Sequence, residues 1–209
     1  KSAIDFVRKD ERPPVTLDGL KVVYAGGWQT VLKLAFDAAG RHSFSNVSVK
    51  GANLSQRGSA TIGTGISLSA EEIHYASPWI GLGVGISYQS PRTEPVSGGE
   101  FSFVPIYGLL QVRSTPTGDN RYFYGVGQFG YNYFIADAKY AGAGTYTMTN
   151  GAYAGLGAGY VFGRFQVEAL YTVDQGKMSG NDVDSTNTPY TVSADASYRK
   201  LSLSVGMLF

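Results

Sequence analysis

The residues best placed to do chemistry lie on alternate positions of short segments. Lys33, Glu71, Arg113, Glu168 and Lys200, with Gln111 and Gln166, fall on the glycine- and serine-rich side of a period-two pattern whose other side is apolar. Gathered away from water, such charges must pair and hydrogen-bond, because an unpaired buried charge is costly. Nucleophilic chemistry has less to draw on. The chain has no cysteine, hence no thiol nucleophile, disulfide or cysteine-ligated metal. Its two histidines, His42 and His74, are too few for a histidine metal site. A hydroxyl activated by a base needs histidine and serine within reach and a carboxylate to orient them. Arg41-His42-Ser43-Phe44-Ser45-Asn46 offers His42 and Ser45, but no acidic residue follows until Glu71. Gly125 to Gly130 satisfies G-x-G-x-x-G, yet a dinucleotide site needs a helix after it, and Tyr131-Asn132-Tyr133-Phe134-Ile135 continues as strand. Asp174, Asn181, Asp182 and Asp184 cluster oxygen ligands without the spacing of a calcium loop, which reads as a solvated segment. No metal and no cofactor is expected.

The elements that carry these residues are strands. Leu32, Leu34 and Phe36 alternate with Lys33, Ala35 and Asp37, and Leu82, Val84, Ile86 and Tyr88 alternate with Gly81, Gly83, Gly85, Ser87 and Gln89. Ala154, Leu156, Ala158, Tyr160 and Phe162 oppose Tyr153, Gly155, Gly157 and Gly159; Leu201, Leu203, Val205, Met207 and Phe209 oppose Ser202, Ser204 and Gly206. Period two is the pleat of a β-strand. The pattern predicts eight strands, over 30–38, 60–71, 80–89, 101–113, 121–135, 152–162, 165–172 and 201–209. The fourth holds Pro105, which predicts a bulge or a break in pairing. The fifth has aromatics on both faces and cannot be oriented. Long connections (39–57, 90–100, 136–150, 173–196) alternate with short ones (72–77, 114–120, 163–164). Residues 1–29 read as an N-terminal extension, a linker or a plug for the interior, and 30–209 as one domain. If Leu20 to Tyr24 and Val47 to Lys50 are also strands, the count rises to ten.

Composition narrows the setting. Charged residues are 16% of the chain, below the roughly 25% of soluble domains. With 28 glycines and 15 tyrosines this points to many strands, or to a surface that does not meet water. A net charge of +1 advertises no nucleic-acid partner. No apolar run approaches the roughly 20 residues of a membrane helix, so a membrane form must be a closed β-barrel.

Alternation alone does not choose between a soluble barrel and a membrane one; volume does. Eight strands enclose an interior just wide enough for side chains. Gly63, Gly65, Gly81, Gly83, Gly85, Gly155, Gly157 and Gly159 would only weaken strands if they faced water. Turned inward, they make room for the long charged side chains. The apolar face then meets lipid, and Phe36, Tyr88, Tyr160, Phe162, Phe165, Tyr171 and Phe209 stand at strand ends where interfacial girdles belong. The expected fold is an all-β transmembrane antiparallel up-and-down barrel.

Gly155 to Tyr160, Phe165 to Tyr171 and the terminal strand resemble small outer-membrane β-barrels of the OmpA/OmpX type. The resemblance implies an outer-membrane location with loops outside and termini in the periplasm. Its surroundings would be outer-membrane lipid and lipopolysaccharide. It implies a monomer with no nucleic-acid partner, inserted by the barrel-assembly machinery, with Val205, Met207 and Phe209 matching the signal that machinery reads. It also implies a structural, anchoring or surface-interaction role, its lumen filled by the charged network. A narrow channel or solute conduit is the alternative. A second alternative is a lipid A-modifying enzyme: the His42–Ser45 segment resembles the motif of outer-membrane lipid A deacylases, in which the pair stands two apart instead of three.

Overall fold

The computed structural model describes residues 15–17, 20–22, 27–49, 52–53, 58–93, 100–136, 145–183 and 189–209. A small hairpin, β1 (Val15–Leu17) and β2 (Leu20–Val22), forms a sheet of its own. The main sheet runs through β3 (Trp28–Asp37), β4 (Gly40–Val49), β5 (Ala52–Asn53), β6 (Gly58–Ile62), β7 (Gly65–Tyr75), β8 (Ile80–Gln89) and β9 (Arg92–Thr93). It continues with β10 (Glu100–Arg113), β11 (Arg121–Ala136), β12 (Thr145–Phe162), β13 (Phe165–Val183) and β14 (Pro189–Leu208). Every pairing is antiparallel. Eight of these strands close a ring in the order β3-β7-β8-β10-β11-β12-β13-β14 and back to β3. The seam joins Leu208 to Val31 and Ser202 to Asp37, and the Phe209 amide donates to the Thr30 carbonyl at 2.9 Å.

The ring has eight strands, as the alternation predicts, and the wider ten-stranded form is not what folds. Leu20–Val22 pairs only with β1, while Val47 to Val49 belong to β4, which extends β3 instead of adding a strand. β4 pairs with β6 in the register β3 holds with β7: Asp37 faces Gly65, and Gly40 faces Ile62. Against β14, one residue is extra between Asp37 and Arg41, a bulge at Ala38-Ala39. A second shift falls beside Asn46, whose φ is 55°. The ring begins at Trp28 instead of Thr30. Most of the 1–29 extension, and with it the linker-or-plug question, lies outside the described residues.

Of two other expectations, the one for the long connections is corrected and the break in pairing at Pro105 is found on one side of its strand. The segments 39–57, 136–150 and 173–196 are not simply loops: β4, β5, β12, β13 and β14 carry the sheet well past the apolar band. Backbone pairing sustains a strand there without a hydrophobic face to announce it. Pro105 does not break β10 as a whole. Its register with β11 is unbroken, with Pro105 opposite Asn132, and the interruption falls only on the β8 side.

The strand faces are inverted relative to a soluble barrel. Leu34, Val84, Phe129, Leu156 and Leu203 are all more than half exposed, whereas Lys33, Glu71, Gln111 and Glu168 are buried. Hydrocarbon is the solvent that makes such a surface favourable. On β11 the interior takes Tyr122, Tyr124, Val126, Gln128, Asn132 and Phe134, and the outside takes Phe123, Phe129, Tyr131, Tyr133 and Ile135. From Phe123 to Tyr133 this strand rises about 33 Å, or about 25 Å along the barrel axis once tilted, which matches an outer-membrane apolar band. A depth-graded penalty should follow. Val84→Lys, at mid-strand, should lower stability by about 2–4 kcal/mol in lipid vesicles, and Ile80→Lys, beside Trp79 at the rim, by about 0–1 kcal/mol. Equal small losses in urea titrations would mean that this face meets water.

Candidate functional site

The interior is built in layers. At its centre Lys33 Nζ lies 2.8 Å from Glu71 Oε2 and 2.9 Å from both carboxylate oxygens of Glu168. The Tyr107 hydroxyl and Gln128 Nε2 donate to Glu71 Oε1 at 2.9 and 3.0 Å, the Tyr124 hydroxyl to Glu168 Oε2 at 2.9 Å, and the Tyr153 hydroxyl to Gln128 Oε1 at 2.6 Å. Six strands thus contribute to one network, and each carboxylate accepts more than one donor. Glycines opposite make the space: a Cβ on Gly85 would meet the Tyr107 ring at 2.6 Å, and one on Gly159 would collide with the Tyr124 hydroxyl.

Towards the short-turn end, Tyr75 hydrogen-bonds Gln111, and the Arg113 guanidinium lies over the Tyr75 ring at 3.6 Å while its Nε donates to the Pro78 carbonyl at 2.8 Å. Gln166 is buried there too, its Nε2 without a partner among the described residues.

Towards the long-loop end the sequence reading is incomplete. Lys200 does not join Lys33, Glu71 and Glu168. It bonds Asp37 at 2.9 Å, and Asp37 also accepts from Ser202 at 2.6 Å, from Ser67 at 2.5 Å and from Arg92. Gly65 leaves the space that the Arg92 head fills. Asp37 shares the inward face with Lys33, so its partnership was open to inference; Arg92 sits in a proline- and glycine-bearing stretch that reads as loop. Above this pair lies a layer of Ile62, Phe101, Phe103, Phe134, Ala196 and Tyr198, with Phe103 stacked on Phe134 at 4.8 Å.

Between the two charged clusters is a cavity of about 40 Å³, lined among others by Gln89, Pro105, Thr172, Asp174, Lys200 and Ser204. The wall beside it is interrupted. β8 pairs with β10 from Ile80 opposite Val112 up to Ile86 opposite Ile106, and the ladder resumes only where Arg92 faces Phe101. Across Ser102 to Pro105 a side-chain bond, Ser102 Oγ to the Gln89 carbonyl at 2.8 Å, takes its place. Proline has no N–H to give, which is why the gap falls here. Outside, an apolar groove of about 650 Å³ is walled by Leu34, Leu68, Ile86, Tyr88 and Val104, and it shares Lys33, Ser69 and Ser87 with the inner cavity.

The outer aromatics named from sequence all lie on the lipid face. Phe36, Tyr88, Phe162, Phe165, Tyr171 and Phe209 are exposed and Tyr160 is half-buried. Trp28, Trp79, Phe123, Tyr131 and Tyr133 join them. Val205, Met207 and Phe209 share that face. The enzymatic candidates do not assemble. His42 faces Tyr198 and Ser45 faces Asp195 in one unbroken register, so a spacing of three puts them on opposite sides of the strand. The G-x-G-x-x-G run lies wholly within β11. Asp174 points into the lumen while Asn181 is exposed, and the side chains of Asp182 and Asp184 lie outside the described residues.

No family model and no curated protein sequence matches the chain. Solved structures do. The outer-membrane protein OprG from Pseudomonas aeruginosa superposes with a TM-score of 0.60 at 17% identity, over 88% of this chain and 96% of that one. AlkL, an outer-membrane protein determined in lipid bilayers, superposes with a TM-score of 0.53 at 14% identity, over 95% of this chain and 96% of that one. Inverted faces, a ring of eight antiparallel strands and these likenesses agree: the chain has the fold of the small outer-membrane β-barrels.

Proposed function

We propose that this barrel resides in a bacterial outer membrane, long loops outward and short turns in the periplasm, as a conduit that releases small, largely apolar solutes sideways into the bilayer. The observation that carries the reading is the interrupted ladder at Pro105, set between an inner cavity and an apolar outer groove with shared walls. A straight route through the lumen is not supported, because the Lys33–Glu71–Glu168 network fills it. A purely structural or anchoring role leaves the gap without a purpose. An apolar solute needs help past the polar sugar layer outside the bilayer, not through hydrocarbon itself, so a lateral exit suits it. Insertion would use Val205, Met207 and Phe209 as the signal read by the barrel-assembly machinery.

Uptake of labelled octane by cells carrying the protein in an intact outer membrane tests the reading. Pro105→Val supplies the missing N–H and lets β8 pair further along β10. It should slow uptake about 5- to 10-fold, the effect of closing one hydrogen bond of about 1 kcal/mol. In planar bilayers the wild-type protein should give no discrete conductance steps. Octane uptake no faster than in cells lacking the protein, or regular ionic steps, would sink the conduit.

A further inference from the structure

The outer face changes character abruptly where the apolar band ends on β14. Its outward column runs Met207, Val205, Leu203, Leu201 and then Arg199, with Tyr171 and Phe36 exposed on the flanking strands. Arg199 is exposed, and its register partner on β4 is Arg41, exposed as well. Like charges directly opposite each other in an antiparallel pair are destabilising. Arg41 Nη2 donates to Ser59 Oγ at 3.0 Å. The Arg199 side chain has no hydrogen-bond or ion-pair partner among the described residues.

The bulge at Ala38-Ala39 creates this pairing. In the register that Ser202 and Asp37 share, Arg199 would oppose Gly40, and Arg41 would fall on the inward row. The extra residue turns Gly40 inward and Arg41 outward, and bulges commonly re-aim a side chain in this way. One outward position further on, Ser197 faces Gln175 of β13 and Ser43 of β4, and a polar cleft of about 420 Å³ opens. Ser45, Asn150, Gln175, Lys177 and Asp195 line it with hydroxyl, amide and charged groups. Asp195 accepts from Asn46 Nδ2 at 2.6 Å and faces Lys177 across the sheet, so its carboxylate is already engaged. Away from this sector, β11 ends its outward column on Tyr131, Tyr133 and Ile135, without a cation.

We propose that Arg41 and Arg199 hold one phosphorylated glycolipid of the outer leaflet, of the lipopolysaccharide class. Its phosphate bridges the two guanidiniums, whose planar forks match phosphate oxygens. Acyl chains lie along Phe36, Tyr171, Leu201 and Leu203, and the sugars enter the cleft beside Gln175, Lys177 and Ser197. Hydrocarbon, twin cations, then hydroxyl and amide groups is the order of parts in such a lipid. A phospholipid with a small headgroup would leave the cleft empty. The site rests on the outer-membrane placement proposed above and is independent of the conduit.

The test titrates whole barrels in phosphatidylcholine nanodiscs with bisphosphorylated lipid A and counts retained lipid by native mass spectrometry. One lipid A per barrel should be retained. Arg41→Ser with Arg199→Ser should weaken binding about tenfold, the loss of two charge-assisted contacts screened at a surface. This double variant should be at least as stable as the wild type in urea, because the like-charge pair is gone. Arg164→Ser, which removes an exposed cation at the short-turn rim, should leave binding unchanged. Lipid A stripped of its phosphates should bind the wild-type barrel about tenfold more weakly and should bind the double variant no differently from intact lipid A. Undiminished binding by the folded double variant, an equal loss in Arg164→Ser, or equal competition by phosphatidylglycerol overturns the site. Nanodiscs present both leaflets, so failure here is failure of the site itself, whereas absent octane uptake in cells removes only the conduit.

Discussion

Lys33→Met should destabilise the barrel by about 3–5 kcal/mol, because it strands Glu71 and Glu168 without a cation in a water-poor interior. Both carboxylates are within 2.9 Å of Lys33 Nζ, and both are buried. The penalty belongs to the broken pair more than to the intact one, so neutralising all three groups should recover most of it. Lys33→Met with Glu71→Gln and Glu168→Gln keeps acceptor oxygens for Tyr107, Tyr124 and Gln128 while removing the charges. Urea unfolding from lipid vesicles, followed by the fluorescence of Trp28 and Trp79 at the rim, gives the numbers. A single-variant loss below about 1 kcal/mol would place the cluster in the range of solvated surface pairs and show that water reaches it.

Asp37→Ala acts on the other cluster, and its effect should be as large, about 3–5 kcal/mol, but differently distributed. Asp37 is the shared acceptor for Lys200, Arg92, Ser67 and Ser202, so its removal leaves two cations facing each other and two hydroxyls without their acceptor. It is also the last residue of β3, next to the bulge where β3 passes into β4. The loss should therefore show first as faster amide exchange in β4 and β6, while β11 and β12 keep their protection. Uniform acceleration around the ring would mean that the pair supports the whole barrel instead of this junction. Adding Arg92→Leu should return part of the stability by removing the excess charge.

How far the sequence alone reaches can be seen strand by strand. β3, β8, β12 and β14 alternate a large apolar residue with a small or polar one, and each is oriented as that pattern predicts. β11 resists the same reading for a physical reason. A tyrosine serves both sides of a membrane barrel: Tyr124 gives its hydroxyl to Glu168 in the lumen, while Tyr131 and Tyr133 place theirs at the lipid boundary. The glycine argument fails at Gly63, which is exposed between β6 and β7 instead of making room inside. Polar extensions such as the upper parts of β13 and β14 are unreadable because neither face there contacts hydrocarbon. The central ion cluster draws on residues that periodicity identifies, but periodicity does not say which cation meets which carboxylate. Barrel stagger decides that. It sends Lys33 to Glu168, 135 positions along the chain, and Lys200 to Asp37, 163 positions away.

The seam between β3 and β14 bears on how such a molecule comes into being. Its two strands stand at opposite ends of the sheet-forming chain, so ring closure is the most distant contact the polypeptide must make and carries the full entropy of closing that loop. Until it forms, two strand edges expose N–H and C=O groups that hydrocarbon cannot satisfy. A half-made sheet is therefore not a tolerable stopping point inside a bilayer. Insertion and closure have to be one concerted event, and the route by which the chain reaches the membrane must shield both edges until the moment they meet.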